Sequence, residues 1–414
     1  MRHPGTSLLL LCAVFVSSAY AASLSDLLDE ATHRNPDIAA ALNAWQASTQ
    51  VSTQVSTLPD PQVTFQQVAV GSPRPLAGYS NSDFAFTGFG VSQDLPWPGK
   101  LHLRAEAADR DAAVSKEKFE AAKRAVFQQI SAAYFQLAYI QKTVGVLERN
   151  QTLLEQILRI AEARYQLGQG SQQDVLKAQL QKTKILNEIA HHHGLMESQQ
   201  ALLKKLLNRG PDGTDIEVDD LTETPLNISS NELLARVRTQ NPDVAAEQEM
   251  ARRQSLQVEI ARKDRYPDFN VQYMWQHTGQ PFRDYYSLSV SARLPIFQKR
   301  KLNPELTQAV NELDRSRRQY ESQVQQAFFD VRDQYISAET ASQMLKVYRE
   351  GLIPQALATF RSGLAAYQTG TKDFETLLAA YLDVLNFDQE YWKTLAERET
   401  ALARIEQLTG VRIH

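Results

Sequence analysis

Gly90-Val91-Ser92-Gln93-Asp94-Leu95-Pro96-Trp97-Pro98-Gly99-Lys100 divides two kinds of sequence. Ahead of it the side chains alternate, as along a strand. Beyond it, from Leu101 to Leu167, there is no proline and Gly145 is the only glycine. Proline is excluded from central strands and helix interiors but fits a strand end or a first helical turn. Pro96, Trp97, Pro98, Gly99 and Lys100 therefore mark a strand-to-helix joint. Val290-Ser291-Ala292-Arg293-Leu294-Pro295 is a second such joint, again ahead of a long helical run. Two joints in matching context point to a duplicated chain with a membrane-facing part and a long helical part.

The strands on either side of these joints carry the membrane reading. Phe269, Val271, Tyr273 and Trp275 alternate with Asn270, Gln272, Met274 and Gln276. Tyr286, Leu288, Val290, Ala292 and Leu294 alternate with Ser287, Ser289, Ser291 and Arg293. One face is apolar and aromatic and the other small and polar, which suits lipid outside and water inside; a half-buried strand of a soluble sandwich is the competing reading. An earlier pair is expected at about 62–70 and 83–95. There Phe89 and Val91 fall out of phase with Phe84 and Phe86, and Gly88 and Gly90 suggest a bulge.

The helical part is too long for a compact domain. One helix from Leu101 to Leu167 would measure about 100 Å. Val126, Ile130, Ala133, Leu137, Ile140, Val144, Leu147, Leu154, Leu158, Ala161 and Tyr165 keep a 3-4 spacing that only Gln151 breaks. Such a repeat makes a left-handed coiled coil. Leu167-Gly168-Gln169-Gly170-Ser171 turns the chain, and a return helix reaches about Leu207. In the second half Val324, Phe328, Val331, Tyr335 and Ala338 keep the same spacing, with a kink or break expected at Gly351 and Pro354.

The duplication is visible in paired motifs. Asn35-Pro36-Asp37 returns as Asn241-Pro242-Asp243, Leu58-Pro59-Asp60-Pro61 as Tyr266-Pro267-Asp268-Phe269, and Arg164-Tyr165-Gln166-Leu167-Gly168-Gln169 as Ala366-Tyr367-Gln368-Thr369-Gly370-Thr371. The expected organisation is a leader over 1–21, a first repeat over 22–208 with a hairpin at 101–207, and a connector over 209–230. A second repeat follows over 231–414, with strands at about 269–276 and 285–295 and a hairpin at 304–407. Four strands cannot close a barrel, for which about eight is the working minimum, so a spanning structure needs several copies.

Composition narrows the function. The apolar run Leu8 to Val16 and Ala19-Tyr20-Ala21 read as a secretory leader cleaved after Ala21. The single cysteine, Cys12, lies in that leader, so the mature chain has neither disulfides nor thiolate metal sites. The formal charge is −4 and no basic face stands out in the sequence, which argues against nucleic acid. His191-His192-His193 suggests metal, but neighbouring helical residues point about 100° apart, so the three cannot share one ion. No nucleophile–base set or phosphate loop appears; the chain reads as neither an enzyme nor a cofactor protein.

Taken together, the paired Asn-Pro-Asp segments, Leu58-Pro59-Asp60-Pro61, the joint Gln93 to Lys100 and the two turns resemble the TolC-like outer-membrane efflux factor family. The Pro-Trp-Pro-Gly-Lys joint is most similar to the branch serving heavy-metal exporters. The resemblance covers essentially the whole mature chain. It implies a mainly α protein with a β-barrel portion: a homotrimeric, twelve-stranded outer-membrane barrel continued by a periplasmic α-helical coiled-coil tunnel. Such a channel sits in outer-membrane lipid of a Gram-negative bacterium. It docks on a periplasmic membrane-fusion adaptor and an inner-membrane pump of the RND type, conducting solutes passively. A type I protein-secretion conduit of the same fold and a soluble periplasmic coiled-coil adaptor are the alternatives. The resemblance places adaptor docking at the hairpin tips Leu167, Gly168, Gln169, Thr369, Gly370 and Thr371. Some relatives carry an acidic ring six and nine positions after the second tip glycine, where this chain has Thr376 and Ala379. Asp174, Asp373 and Glu375 are the candidate periplasmic constriction instead. Pro96, Trp97, Pro98, Gly99, Lys100 and Pro295 become the barrel-to-tunnel joints.

Overall fold

The computed structural model describes residues 23–71, 74–75, 82–279 and 281–414. The leader and its cleavage site, and most of the loop between the first two strands, lie outside the described residues. In chain order the elements are α1 (Leu24–Arg34), α2 (Pro36–Thr49), α3 (Val51–Ser56), β1 (Gln62–Val68), β2 (Phe86–Leu95), α4 (Lys100–Gln166) and α5 (Gln172–Leu206). There follow α6 (Ser230–Gln240), α7 (Pro242–Lys263), β3 (Asp268–His277), β4 (Tyr285–Arg293), α8 (Asn303–Val347), α9 (Ile353–Gln368) and α10 (Phe374–Thr409). Two compact units form. The sheet unit contains Asn35–Gln128, Thr224–Glu339 and Ala401–His414. The tip unit contains the described residues up to Arg34, with Gln129–Glu223 and Thr340–Thr400.

In the sheet unit the two Asn-Pro-Asp segments begin helices by the same device. Asn35 Oδ1 accepts from the backbone N–H of Asp37 (2.9 Å) and Ile38 (3.1 Å), and Pro36 opens α2. Asn241 Oδ1 accepts from Val244 N–H at 3.0 Å, and Pro242 opens α7. An Asn cap satisfies an orphan donor, and proline loses nothing at the first helical position. Asn241 also donates through Nδ2 to Leu408 O at 3.0 Å, fastening the end of α10. Leu233, Val237, Val244, Val324, Val331, Ala338, Leu402 and Ile405 form the core beside these caps.

The sheet is antiparallel throughout, in the order β1-β2-β3-β4. Its register sets Phe65 opposite Phe89, Phe89 opposite Trp275 and Trp275 opposite Tyr286. Val63, Val91, Tyr273 and Leu288 form a second such row, so one face is apolar across all four strands. The other face presents Gln66, Gly88, Gln276 and Tyr285 in one row and Gln62, Ser92, Gln272 and Ser289 in another. Phe89 and Val91 are thus in phase with the lipid-type face, and the strand starts at Phe86 rather than at 83.

No bulge occurs at Gly88 or Gly90. The ladder runs through both without an inserted residue. A Cβ on Gly88 would stand 3.1 Å from Trp275 O, and one on Gly90 3.2 Å from Tyr273 O and 3.2 Å from Met274 Cε. The glycines let β3 and the buried Met274 approach β2.

In the tip unit, α4 packs with α5, α9 and α10 around Leu147, Leu154, Ile157, Ile185, Phe360, Tyr367, Phe374 and Tyr381. Of the 3-4 series on α4, Ile130, Leu137, Ile140, Leu147, Leu154 and Ala161 are fully buried, whereas Tyr165 is exposed. The interruption at Gly351 and Pro354 is absorbed without a break. The chain widens into a π-helical turn, Tyr348–Leu352, and continues as α9. Widening the helix accommodates the N–H that Pro354 lacks.

Candidate functional site

The first joint is tied to the second half of the chain. Lys100 is buried, and its Nζ lies 2.9 Å from Asp268 Oδ1 and 3.4 Å from Asp264 Oδ1 while donating to Tyr266 O at 3.2 Å. Trp97 N–H donates to the same Asp268 oxygen at 2.9 Å. The Trp97 ring stacks on Tyr266 at 5.1 Å and on Phe269 at 6.1 Å. Gly99, at φ 88°, takes a backbone conformation that side chains with a Cβ avoid, which lets the chain enter α4 directly after Pro98. The second joint is built differently: Pro295 is followed by exposed Ile296 and Phe297 and then a π-helical turn, Gln298–Leu302. Lys100, Tyr266, Asp268, Pro295, Ile296 and Phe297 all line one groove of about 720 Å³. The two joints therefore meet, on unequal terms.

The hairpin tips are brought together within the tip unit. Gly168 (φ 70°) and Gly370 (φ 76°) each close a helix end in the left-handed region. Gln169 N–H returns to Arg164 O at 2.8 Å, and Thr371 N–H to Ala366 O at 2.9 Å. Arg164 then crosses between the tips. It donates through Nη2 to Gln169 O at 2.9 Å, and its guanidinium lies 4.6 Å from the centre of the Tyr367 ring. Leu167 is left 72% exposed, an apolar side chain at the outermost turn.

The three acidic candidates differ in state. Asp174 accepts from the Tyr367 hydroxyl at 3.2 Å. Burial, and then the Asp174 charge, push that hydroxyl up to about 12. Glu375 is ion-paired with Lys177. Asp373 caps α10, its Oδ1 accepting from Thr376 N–H at 2.9 Å, and the hydrogen bonds from Thr376 hold its carboxyl below the usual range. Arg164, Lys177 and Tyr367 were not singled out by the sequence; the Tyr165/Tyr367 echo was the one signal pointing to them. His192 sits edge-on to Tyr139 at 6.5 Å and to His191 at 5.7 Å, and burial lowers its basicity. Among the described residues no group of three His, Cys, Asp or Glu side chains could hold a metal ion. Nor is any described helix long and apolar enough to cross a membrane.

One unit holds an antiparallel sheet with one apolar face, and the other holds helical hairpins that end in glycine turns. The chain belongs to the outer membrane efflux protein family, whose model matches residues 27–209 and 233–411. It is therefore a passive outer-membrane efflux component of a Gram-negative bacterium and not an enzyme. Three solved structures share its fold. VceC of Vibrio cholerae is 18% identical, with a TM-score of 0.78 over 94% of this chain and 97% of that one. CusC is 16% identical, with a TM-score of 0.79 over 93% of this chain and 91% of that one. The open-state MtrE channel of Neisseria gonorrhoeae is 19% identical, with a TM-score of 0.74 over 94% of this chain and 88% of that one. No curated protein matches the chain in sequence.

Proposed function

We propose that three copies close a barrel of about twelve strands, and that their helical hairpins continue it as a periplasmic tunnel. The observation that carries this reading is the sheet. Its apolar face spans all four strands, its opposite face is polar, and among the described residues β1 and β4 have no outer partner. Open edges of this kind are tolerated in lipid only when closed. Within that assembly Leu167, Gly168, Gln169, Thr369, Gly370 and Thr371 dock the adaptor, which hands over solute from an RND-type pump. Pro96 to Lys100 and Pro295 form the passage from barrel to tunnel.

Asp174 and Asp373 supply the acidic narrowing at the tips, with Glu375 largely spent on Lys177. An acidic narrowing favours cations, which agrees with heavy-metal cations as the exported solutes. The test is a deletion strain challenged with cobalt, zinc, cadmium, copper and silver beside a panel of drugs. Metal sensitivity restored by the intact gene is the expected result. Unchanged metal tolerance with new drug sensitivity would overturn the substrate, and an absence of conductance in planar bilayers would overturn the channel.

A further inference from the structure

We propose that the second joint, from Arg293 to Lys301, is a clamp for an anionic phospholipid of the inner leaflet of the outer membrane. The proposal rests on the reading that the sheet lies in that membrane. On β4, Tyr286, Leu288 and Val290 are 70%, 71% and 67% exposed. This apolar face does not stop with the strand. Leu294, Ile296 and Phe297 continue it at 64%, 71% and 68% exposure. Immediately beyond, the π-helical turn presents Lys299, Arg300 and Lys301, and Arg293 precedes the apolar residues; all four cations are exposed.

None of these four has an acidic partner among the described residues. The contrast is with α8 just beyond, where Arg315 pairs with Glu312, Arg317 with Asp314 and Arg318 with Glu321. Of the carboxylates in the adjoining groove, Asp264 and Asp268 are already engaged by Lys100, and Glu312 by Arg315. Glu305 remains as the one carboxylate there without an ion pair. The register places Arg293 opposite Asp268, at the sheet end where Trp97, Tyr266 and Phe269 stack. Stacked aromatics of this sort occupy the headgroup level of a bilayer. An acyl chain along Leu288 and Val290, with its glycerol end against Leu294, Ile296 and Phe297, therefore brings its phosphate to the level of the unpaired cations. A zwitterionic headgroup cancels that attraction; phosphatidylglycerol or cardiolipin does not.

The experiment compares phosphatidylglycerol with phosphatidylethanolamine retained on the detergent-purified channel, read by native mass spectrometry. Basic residues near an anionic membrane surface each contribute about fivefold. K299Q/R300Q/K301Q should therefore lose on the order of a hundredfold of the phosphatidylglycerol preference. R315Q/R317Q/R318Q, which removes the same charge from paired positions, should retain it. Equal loss in both variants would reduce the effect to overall charge, and an unchanged preference in the first would overturn the clamp. Loss of copy number or of adaptor capture at unchanged lipid preference would assign the patch to a protein neighbour instead. Circular dichroism reports folding of each variant. Bilayer conductance of the same samples shows separately whether the channel reading stands.

Discussion

Lys100 and Gly99 do different work within one turn of backbone. Lys100 places a cation in a buried position, which is tolerated only because Asp268, Asp264 and Tyr266 O surround it. Lys100→Met keeps the stem but takes from Asp268 its ammonium partner, leaving the hydrogen bond from Trp97 N–H and the more distant Arg104 charge. Asp268 is one-third exposed, so water recovers part of the loss. The expected destabilisation is about 1–3 kcal/mol, in the range of hydrogen bonds to charged groups. Urea unfolding followed by circular dichroism measures it, and a midpoint equal to wild type would show that the tie adds no stability. Gly99→Ala meets no crowding, since only the Lys263 side chain approaches, at 3.8 Å. Its cost is conformational, about 1–2 kcal/mol for a Cβ in the left-handed region.

The hairpin tips and the sheet each present a contrast that substitution can expose. At the tips, Tyr367→Phe removes the hydrogen bond to Asp174 but keeps the buried ring and its contact with Arg164. About 0.5–1.5 kcal/mol of tip stability should be lost, read as faster amide exchange in the last turns of α4 and α9. If the latch holds the tips, the variant conducts more in a bilayer; unchanged exchange would remove the latch from consideration. Its pH dependence has a definite sign. The hydroxyl titrates near 12 when folded, above its ordinary 10. The neutral form is the one stabilised, so the contribution is complete below pH 10 and is lost as pH rises through about 12. The latch is therefore constant across neutral pH, and Y367F should remove a pH-dependent loss of stability confined to the alkaline window. On β4, Leu288 and Ser289 are neighbours on opposite faces. Leu288→Lys puts a charge against lipid, costing about 2–4 kcal/mol near the bilayer midplane, whereas Ser289→Lys faces water and should alter ion selectivity at little cost. Equal yields of folded protein from the two variants would contradict the assignment of faces.

How far the molecule could be read in advance follows from the distance between interacting residues. The faces of β3 and β4 were legible because a period of two fixes them locally, and the long helices because their spacing persists. The Lys100–Asp268 tie was not, since the residues lie 168 apart and each alone looks like an ordinary surface charge. The Arg164, Tyr367 and Asp174 cluster was hidden for a further reason. The repeats differ where it forms, with Ala366 at the place of Arg164 and Thr376 at that of Asp174. Gly88 and Gly90 suggested a bulge because a missing side chain marks irregular backbone as often as close packing; the position of Met274 decides between them. Copy number belongs to the same class of long-range fact, because it is set by strand edges that no single chain closes. In the closed barrel proposed above the outer edges of β1 and β4 meet, so both should be protected together or exposed together. Amide exchange of the detergent-purified channel should show β1 and β4 as slow as β2 and β3, and native mass spectrometry should give three copies. Dissociating the copies should release β1 and β4 first, while β2 and β3 keep their ladder. Fast exchange at both outer strands in the intact particle would mean an open sheet, and with it no barrel.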